Sequence, residues 1–334
     1  MAQIDRVLRS NIKLRHLQLV VALDEFRHLG RTAEFLSVTQ PAVSKMLSEV
    51  ENMLGLTLFE RSTRGSEPTA SGRSIVRFAR SVLAEYERTR DEIAAEESGA
   101  AGRTRVGSMV VALPTLLGRA VELLKQRSAQ ATVLVEEGDL TRLLPRLRLG
   151  ELDLFVGRLE PGYAAPDLDT EALYNEPMMA VVAPGHPLAA RARVGWQDLA
   201  QLPCVLPPPW ASLRVKLEQQ FHRHGLAPPT DLVETASFLA QLAFVQRRGA
   251  AGFMAQSVAR YFESTGSVRV LKLAVPVELP SIGLITMRGR PLTTTTSQLM
   301  ECLRQAAAES GAGTSPGSAA PRRRSTPARR TRAG

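Results

Sequence analysis

The polar residues whose types and spacing could do chemistry begin just ahead of a predicted helix at residue 40. Proline lacks an amide hydrogen and has a fixed φ, so Pro41 fits the first turn of a helix and little of its interior. Thr39, two residues earlier, can cap that helix with its hydroxyl. One face of the helix then carries Gln40, Pro41, Ser44, Lys45 and Ser48. Such a face is usually no more than solvated, and contact with a polyanion is the alternative.

The same face suits the major groove of duplex DNA. A glutamine can pair bidentately with adenine, a lysine can reach guanine or phosphate, and a proline can contact a thymine methyl group. The opposite face is apolar at helical spacing and comprises Val43, Met46, Leu47, Val50 and Leu54. We therefore predict a recognition helix that ends at Gly55. Arg61 and Arg64 follow in a turn, where a wing would contact backbone phosphates.

The elements before and after this helix complete a small N-terminal module. Helical periodicity predicts a first helix over residues 14–27 and a short second helix over residues 31–36. The first helix has one apolar side, formed by Leu14, Leu17, Val20, Val21 and Leu23. A two-stranded excursion is predicted after the recognition helix, with a Gly/Ser/Pro turn between Arg61 and Thr69.

Residues 72–97 carry the longest uninterrupted helical pattern. Its apolar positions alternate spacings of 4 and 3 and so form a heptad seam, made of Ile75, Ala79, Val82, Tyr86, Thr89 and Ile93. The other faces are charged, so the seam has little to pack on unless a second copy of the chain supplies a surface. We predict a dimerisation helix, and the alternative is a helix packed on its own domain.

The C-terminal half alternates strand-like and helix-like segments after a flexible hinge, SGAAG, at residues 98–102. This alternation predicts βαβ units and a parallel sheet. A ligand of such a domain lies where strand ends and helix N-termini converge. Arg158 follows the strand-like DLFVG and could neutralise a ligand carboxylate, although a surface salt bridge is the alternative. Ser212 at a helix start and Phe238 after ETAS could line the same cleft, although Phe238 could instead belong to the core.

Composition narrows the classes of protein. The formal net charge is +9, and residues 310–334 contribute six arginines and no acid to it. That tail either adds phosphate contacts or is a solvated, disordered extension. The two cysteines have no paired spacing, and no run of residues resembles a signal core or a membrane span. We expect a cytoplasmic protein without a membrane partner.

The N-terminal sequence HLGRTAEFLSVTQPAVSKMLSEVENMLGLTLFERSTRGSEPTASG closely resembles the DNA-binding domain of LysR-type transcriptional regulators. The segments GELDLFVGRL, APGHPLA and ETASFLAQLAFVQRRGAAGFM extend the resemblance more weakly to residue 308. The resemblance implies an α/β chain with an N-terminal winged helix-turn-helix, a long linker helix and a C-terminal two-lobed effector domain like periplasmic binding proteins. Carried over by position, Gln40, Pro41, Ser44 and Lys45 would meet bases, while Arg61 and Arg64 would meet phosphates.

The resemblance also sets the expected domain boundaries. They are 1–71 for the winged helix-turn-helix, 72–97 for the linker helix, 98–102 for the hinge, 103–174 with 279–308 for lobe I, 175–278 for lobe II, and 309–334 for a disordered basic tail. The Ser108–Val110 turn, which includes Met109, is an expected effector contact with Ser108 as hydroxyl donor. A local cap is the alternative role of that hydroxyl.

The same likeness implies the partners. They are promoter or operator DNA, a small-molecule effector, RNA polymerase, and further copies of the chain in a dimer or tetramer. The segment EALYNEPMMAVVAPGHPLA looks most like the branch that regulates sugar uptake through a galactose-binding protein, and an aromatic acid or a sugar acid is a comparable effector.

A rival interpretation is a small-molecule binding protein or enzyme whose N-terminal helices only dimerise. The GTSPG match to a hydrolase elbow at residues 313–317 has no strand before it and no helix after it. His222 and His224 have no cysteine or acidic ligand at metal spacing. We therefore predict that the protein is not an enzyme and binds no cofactor or metal. The rival interpretation also leaves the polar face of the recognition helix without a function.

Overall fold

Helices and a short ribbon form the N-terminal unit. They are α1 (Leu14–Phe26), α2 (Leu29–Phe35), α3 (Gln40–Leu54), β1 (Phe59–Ser62) and β2 (Gly65–Pro68), with the two strands antiparallel. The computed structural model describes residues 7–8, 11–62, 65–98, 102–209 and 211–310. Arg64, the side chain of Arg61 and the arginine-rich tail from residue 311 lie outside these described parts.

Local signals account for the ends of α3, whereas packing decides which residues of α1 are buried. Gly55 ends α3 in the left-handed conformation, with φ 67°. The predicted apolar side of α1 is wrong in part, because Leu14 is 40% exposed and Leu19 is fully buried. Helix α1 contacts both α3 and the helix that follows the wing, so more than one of its sides is covered.

The ribbon also differs from the prediction. Residues 65–68 form β2, although the sequence placed them in a turn. The Ser66 amide donates a hydrogen bond of 2.8 Å to the carbonyl of Arg27, at the end of α1. This contact between residues far apart in sequence accounts for the extended backbone there.

The long helix α4 runs over Ala70–Ser98. The start of its predicted seam packs on the N-terminal unit, since Ile75 and Ala79 are buried within the same chain. Farther along the helix, Tyr86 is 45% exposed and Ile93 is 51% exposed. The seam is therefore divided, and its second half is the part that remains accessible.

Two mixed sheets follow. In chain order the further elements are β3 (Arg103–Ser108), α5 (Gly118–Arg127), β4 (Thr132–Glu137), α6 (Leu140–Leu149), β5 (Leu154–Arg158), β6 (Leu168–Tyr174), β7 (Met178–Val182), α7 (Trp196–Ala200), β8 (Cys204–Leu206), α8 (Ser212–Arg223), β9 (Leu232–Glu234), α9 (Phe238–Arg248), β10 (Ala251–Ala255), α10 (Gln256–Ser264), β11 (Arg269–Val270), β12 (Ile282–Met287) and α11 (Thr294–Ser310). A short 3-10 turn and a π turn join β3 to α5.

Neither sheet is wholly parallel, so the predicted parallel sheet is corrected. The first sheet has the strand order β4-β3-β5-β12-β6, and the second has the order β11-β7-β10-β8-β9. In the first, β3 is parallel to β4 and β5, while β12 is antiparallel to β5 and β6. In the second, β10 is parallel to β8 and antiparallel to β7. The antiparallel strand β12 enters the first sheet after the chain has returned from the second.

The chain passes between the sheets in two places within the described residues. It leaves the first sheet after Tyr174 and enters the second at Met178, and it returns between Val270 and Ile282. An isolated bridge between Met178 and Val275 ties the two crossings together. A cleft between two sheets joined in this way is where a ligand of the domain would lie.

Helix α11 then packs on α5 and extends through Glu309 and Ser310, which the sequence assigned to the disordered tail.

Candidate nucleic-acid interface and ligand cavity

The start of α3 is fixed by a cap and a proline. The backbone of Thr39 is extended, with φ −82° and ψ 150°, and its Oγ1 accepts a hydrogen bond of 3.4 Å from the amide of Ala42. Pro41 is the second residue of the helix, where an amide hydrogen has no partner in the preceding turn. The predicted start of the helix, including its cap, agrees with this geometry.

The side chains predicted to contact DNA share one side of α3. Ser44 is half-buried, and the exposed members are Thr39, Gln40, Pro41, Lys45 and Ser48. Val43, Leu47 and Val50 on the opposite side are fully buried. Burial of the apolar side fixes the rotation of the helix about its axis, so the polar set faces outward.

Two residues that the sequence analysis missed shape the entrance. The Nδ1 atom of His28 accepts hydrogen bonds from the amides of Gly30 (3.1 Å) and Arg31 (3.4 Å) and thereby caps α2. Ser37 adopts a left-handed conformation with φ 54° in the turn between α2 and α3. A histidine is an uncommon cap, because Ser, Thr, Asp and Asn are the residues preferred there. The sequence therefore carried no clear signal for His28.

The wing lies against the end of α1. Gly65 has φ 135°, and a Cβ built on it would lie 2.6 Å from the carbonyl oxygen of Arg27. The guanidinium of Arg27 contacts the carboxylates of Glu67 on β2 and of Asp24 on α1. The ribbon is thus held at its second strand, and the predicted phosphate contacts of Arg61 and Arg64 stay predictions.

A cavity of about 540 Å³ lies between the two sheets of the C-terminal half. Five of the six residues predicted to bind an effector line it, namely Met109, Val110, Arg158, Ser212 and Phe238. The sixth, Ser108, is fully buried and does not line the cavity, and its hydroxyl donates to the carbonyl of Met109 at 3.1 Å. This hydrogen bond is local to the backbone, but it is not the cap considered as the alternative, because the turn that begins at Val110 has no side-chain cap.

Arg158 is the buried cation of the cavity. It is 6% exposed at the end of β5, and its Nη1 donates to the carbonyl of Pro280 at 2.9 Å. No carboxylate among the described residues lies within 4.0 Å of the guanidinium, so the predicted alternative of a salt bridge is not seen there. Burial lowers the pKa of Arg158, against the opposing effect of Glu176 and Glu160. An arginine nevertheless stays protonated in proteins, so the cavity wall carries a positive charge that no carboxylate of the described residues contacts directly.

Helix N-termini converge on the same cavity. Asp139 caps α6 by accepting from the amide of Arg142 at 3.0 Å, and Ser237 caps α9 by accepting from the amide of Ala240 at 3.3 Å. Helix α8 begins at Ser212, and its N-cap residue Ala211 makes no side-chain cap. Its first amides are therefore available to a ligand acceptor.

The cavity walls are largely apolar, with a few polar residues that the sequence analysis did not identify. Those polar residues are Asp139, Thr141, Glu160, Tyr163, Thr235, Ser237 and Gln241. Phe238 takes part in the wall and also packs against Phe262, with ring centroids 5.1 Å apart and the rings tilted by 39°. Both of the roles considered for Phe238, cleft and core, therefore apply. Asp139 lies two residues after β4 and Thr141 lies in the first turn of α6, so their position between a strand and a helix was the signal available in the sequence.

Metal ligation and membrane insertion find no support in the described residues. Within them, no group of three or more His, Cys, Asp or Glu residues is arranged to hold a metal ion. None of the helices described is both long and apolar enough to cross a membrane. Cys204 is buried, which raises the pKa of its thiol to about 12 and leaves it unreactive at neutral pH.

Comparison with known proteins places both halves of the chain. The LysR substrate binding domain family matches residues 97–308, and the lysR family of bacterial regulatory helix-turn-helix proteins matches residues 14–73. The transcriptional regulator GbpR of Azospirillum brasilense is 32% identical over 302 residues, which are 90% of this chain and 88% of that protein. The transcriptional regulator GalR of Pseudomonas putida is 30% identical over 295 residues, which are 88% of this chain and 74% of that protein.

The solved structures agree on the fold. The crystal structure of CbnR, a LysR family transcriptional regulator, superimposes with a TM-score of 0.68 at 20% identity and covers 89% of this chain and 99% of that one. The family predicted from the sequence motifs is confirmed by the two family matches and by the relatives that are 30–32% identical. On the matches to both halves, the chain belongs to the LysR family of transcriptional regulators, with a helix-turn-helix DNA-binding unit and an effector-binding domain.

Proposed function

We propose that the exposed start of α3 reads base pairs of a promoter or operator. Gln40 is suited to adenine, Lys45 to guanine or phosphate, and Pro41 to a thymine methyl group. The observation that carries the proposal is the fixed helix entrance with its polar set turned outward and Val43, Leu47 and Val50 buried behind it. Thr39, Ser44 and Ser48 would add contacts along the same side, and Arg61 and Arg64 would bind phosphates from the wing.

A gel-shift with a duplex from the chain's own upstream region tests this role. Removing one bidentate base contact costs about 1–3 kcal/mol, so the double variant Gln40→Ala/Lys45→Ala should bind its operator at least tenfold more weakly, about 1.4 kcal/mol. Gln219→Ala/Lys272→Ala is the matched control, because it removes the same two residue types at exposed positions of the C-terminal half, away from α3. Equal binding by wild type and double variant would favour the rival in which these helices only dimerise.

The effector proposed for the cavity is a small carboxylate. Arg158 supplies a buried positive charge with no carboxylate within 4.0 Å among the described side chains. Glu176 and Glu160 act on it from a greater distance and offset its burial only in part, since its pKa is still lowered, so an anion that paired with it directly would stabilise the charge. The uncapped start of α8 at Ser212 offers amide donors to the same group. Met109, Val110 and Phe238 would contact the apolar part of the ligand.

The rest of the ligand remains open between an aromatic acid and a sugar acid. The apolar walls favour an aromatic ring, whereas Asp139, Glu160 and Gln241 could accept or donate hydrogen bonds to hydroxyl groups. A neutral sugar is the second candidate, because the sequence favours the branch linked to sugar uptake. It would use the same polar residues and leave Arg158 unpaired.

Calorimetric titration with benzoate, galactonate and galactose separates these classes. We expect binding of one or both carboxylates, and Arg158→Met should weaken it at least tenfold, since an arginine–carboxylate pair is a strong charge-assisted contact of roughly 1.5–3 kcal/mol. Arg260→Met is the matched control, because Arg260 is an exposed arginine outside the cavity lining. Galactose binding that Arg158→Met leaves unchanged would favour the neutral sugar.

The assembly proposed is a dimer joined along α4, or a tetramer of two such dimers. The exposed Tyr86 and Ile93 on the second half of the seam support it, because a second helix would cover them. In this proposal the chain is cytoplasmic, acts on promoters together with RNA polymerase, and catalyses no reaction itself.

A further inference from the structure

Helix α6 connects the cavity with the linker helix α4. At its start, Asp139 and Thr141 line the cavity. At its end, Gly150 has φ 82°, and a Cβ built there would lie 3.6 Å from the Cβ of Ala84 and 3.3 Å from Nη2 of Arg88, both on α4. A helix of ten residues is about 15 Å long, so one rigid element spans this distance.

An ion-pair chain continues from α6 into the N-terminal unit. Arg146 on α6 contacts Glu136 on β4, and its Nε lies 2.7 Å from the carboxylate of Glu151. The other oxygen of Glu151 lies 3.1 Å from Nη1 of Arg80, on α4. Nη2 of Arg80 lies 3.3 Å from Asp24 at the end of α1. The side chain of Arg80 therefore joins carboxylates that belong to the effector domain and to the DNA-binding unit.

The chain of contacts reaches the wing. Asp24 also binds the guanidinium of Arg27 at 2.8 Å, and Arg27 contacts Glu67 on β2. The carbonyl of Arg27 accepts the amide of Ser66 on the same strand. A change in the position of Arg80 would consequently act on the end of α1 and, through it, on the wing.

The interface between α4 and the effector domain contains several ion pairs. Besides Arg80–Glu151, it includes Arg105–Asp91 at 2.8 Å and Arg88–Asp153 at 3.7 Å. The side chains of these three pairs are between 5% and 23% exposed, so displacing one partner leaves a largely buried charge without its counter-charge.

Arg88 shows that the docked arrangement is imperfect. Its Nε and Nη2 atoms are buried and have no hydrogen-bond partner, and an unsatisfied buried donor costs roughly 1–3 kcal/mol. The docked arrangement therefore combines buried ion pairs with unsatisfied donors of Arg88, and a shift of α6 would change the geometry of both.

We propose that α6 and Arg80 transmit occupancy of the cavity to the DNA-binding unit. A ligand moves the first turn of α6, and the far end of the helix then displaces Arg146 and Glu151. The ion pair between Arg80 and Asp24 changes as a result, and the position of the wing changes with it. The proposal rests on the proposed function, since it assigns a regulatory route to the same cavity and the same DNA-binding face.

A double-mutant cycle in the full chain tests the route without knowledge of the effector. Thr141→Trp fills the cavity from α6, and Arg80→Gln removes the charge at the junction while keeping a polar side chain that is shorter than arginine. Arg77→Gln is the matched control, because Arg77 lies three residues earlier on α4, is exposed, and donates to Ser74 of the same helix. Operator affinity is measured by fluorescence anisotropy for every combination, after thermal unfolding has shown that each variant is folded.

The expected result is a coupling confined to Arg80. Thr141→Trp should change operator affinity at least about fivefold in the wild-type and Arg77→Gln backgrounds, and less than about twofold in the Arg80→Gln background. The same effect of Thr141→Trp in the Arg80→Gln background, or no effect of Thr141→Trp in any background, would overturn the proposal. If Thr141→Trp does not fold, Val110→Trp, which fills the cavity from another wall, is used under the same two criteria.

Failure of the proposed function would look different. If the wild-type chain does not bind the duplex, or Gln40→Ala/Lys45→Ala binds as well as wild type, the DNA-binding assignment fails. If wild type binds and that double variant does not, but the cycle is additive, the assignment stands and the α6 route is refuted.

Discussion

The carboxylate of Glu51, near the end of α3, accepts a hydrogen bond of 2.7 Å from the amide of Leu58. The same oxygen accepts from the amide of Phe59 at 3.2 Å, and Phe59 is the first residue of the wing. Leu58 is fully buried and Phe59 almost so. The recognition helix and the wing therefore keep a fixed relation through one side chain.

Glu51→Ala should destabilise the N-terminal unit by about 1–3 kcal/mol, because it leaves buried amides without an acceptor. Glu51→Gln should retain most of the stability, since its carbonyl oxygen can still accept a hydrogen bond. Urea unfolding monitored by circular dichroism measures the difference, with Asn52→Ala as the exposed neighbour for comparison. A Glu51→Ala protein as stable as Asn52→Ala would mean that water replaces the carboxylate.

Gly65→Ala should displace the wing. Gly65 combines a φ of 135° with a position where a Cβ would meet the carbonyl of Arg27 at 2.6 Å, so both backbone strain and a clash oppose a side chain. Gly266 has a φ of 72° and open space around it, so Gly266→Ala introduces backbone strain and no clash. We expect weaker operator binding for Gly65→Ala and unchanged binding for Gly266→Ala in the gel-shift. Equal binding by both variants would show that the wing can move without loss of affinity.

Features set by neighbouring residues could be predicted from the sequence. The cap at Thr39, the stop at Gly55 and the buried side of α3 depend on the residues of one helix and its ends. The place of Arg158 at the cavity followed from its position at the end of a strand. These inferences need no knowledge of which elements meet in three dimensions.

Features that depend on distant contacts could not be predicted. Leu14 and Leu19 have the same chemistry, and only the helices around α1 decide that Leu19 is buried. The antiparallel strand β12 is set by a return from the second sheet, more than a hundred residues after β5. The ion pair between Arg80 and Glu151 joins residues 71 positions apart, and sequence periodicity carries no signal for such a pair.

Stability should fall as the pH drops below the ordinary pKa of histidine, in part because of His16. Burial lowers the pKa of His16 from 6.5, and its Nδ1 accepts a hydrogen bond from the amide of Lys13 at 3.2 Å, so the folded chain favours the neutral ring. The unfolded chain binds a proton more readily, and the free energy of unfolding therefore decreases as the pH falls through 6.5 and below. Above that range the free energy of unfolding no longer depends on pH through this group.

Urea unfolding between about pH 7.5 and pH 5.5, a range that spans the pKa of an ordinary histidine, gives the slope of the free energy of unfolding against pH. His16→Gln should flatten it, whereas His222→Gln should not, because His222 is exposed at the end of α8. His186 also has a pKa lowered by burial and contributes to the slope in both variants, so the comparison between them isolates His16. Identical slopes for the two variants would refute the assignment to His16.

Ile93→Glu should separate the proposed dimer without unfolding the monomer. Ile93 and Tyr86 lie seven residues apart on the exposed half of α4, so a partner helix in heptad register would bury both. Burial of an apolar side chain of this size contributes about 1.5–3 kcal/mol, and the variant loses that contribution in each chain. It also places two like charges together, so the dimer dissociation constant should rise at least about a hundredfold. Light scattering after gel filtration measures the mass, and thermal unfolding checks that the variant is folded.

Val215→Glu places the same charge on an exposed valine of α8 and should leave the mass unchanged. If Ile93→Glu elutes with the mass of the wild type, α4 does not join the subunits through this seam.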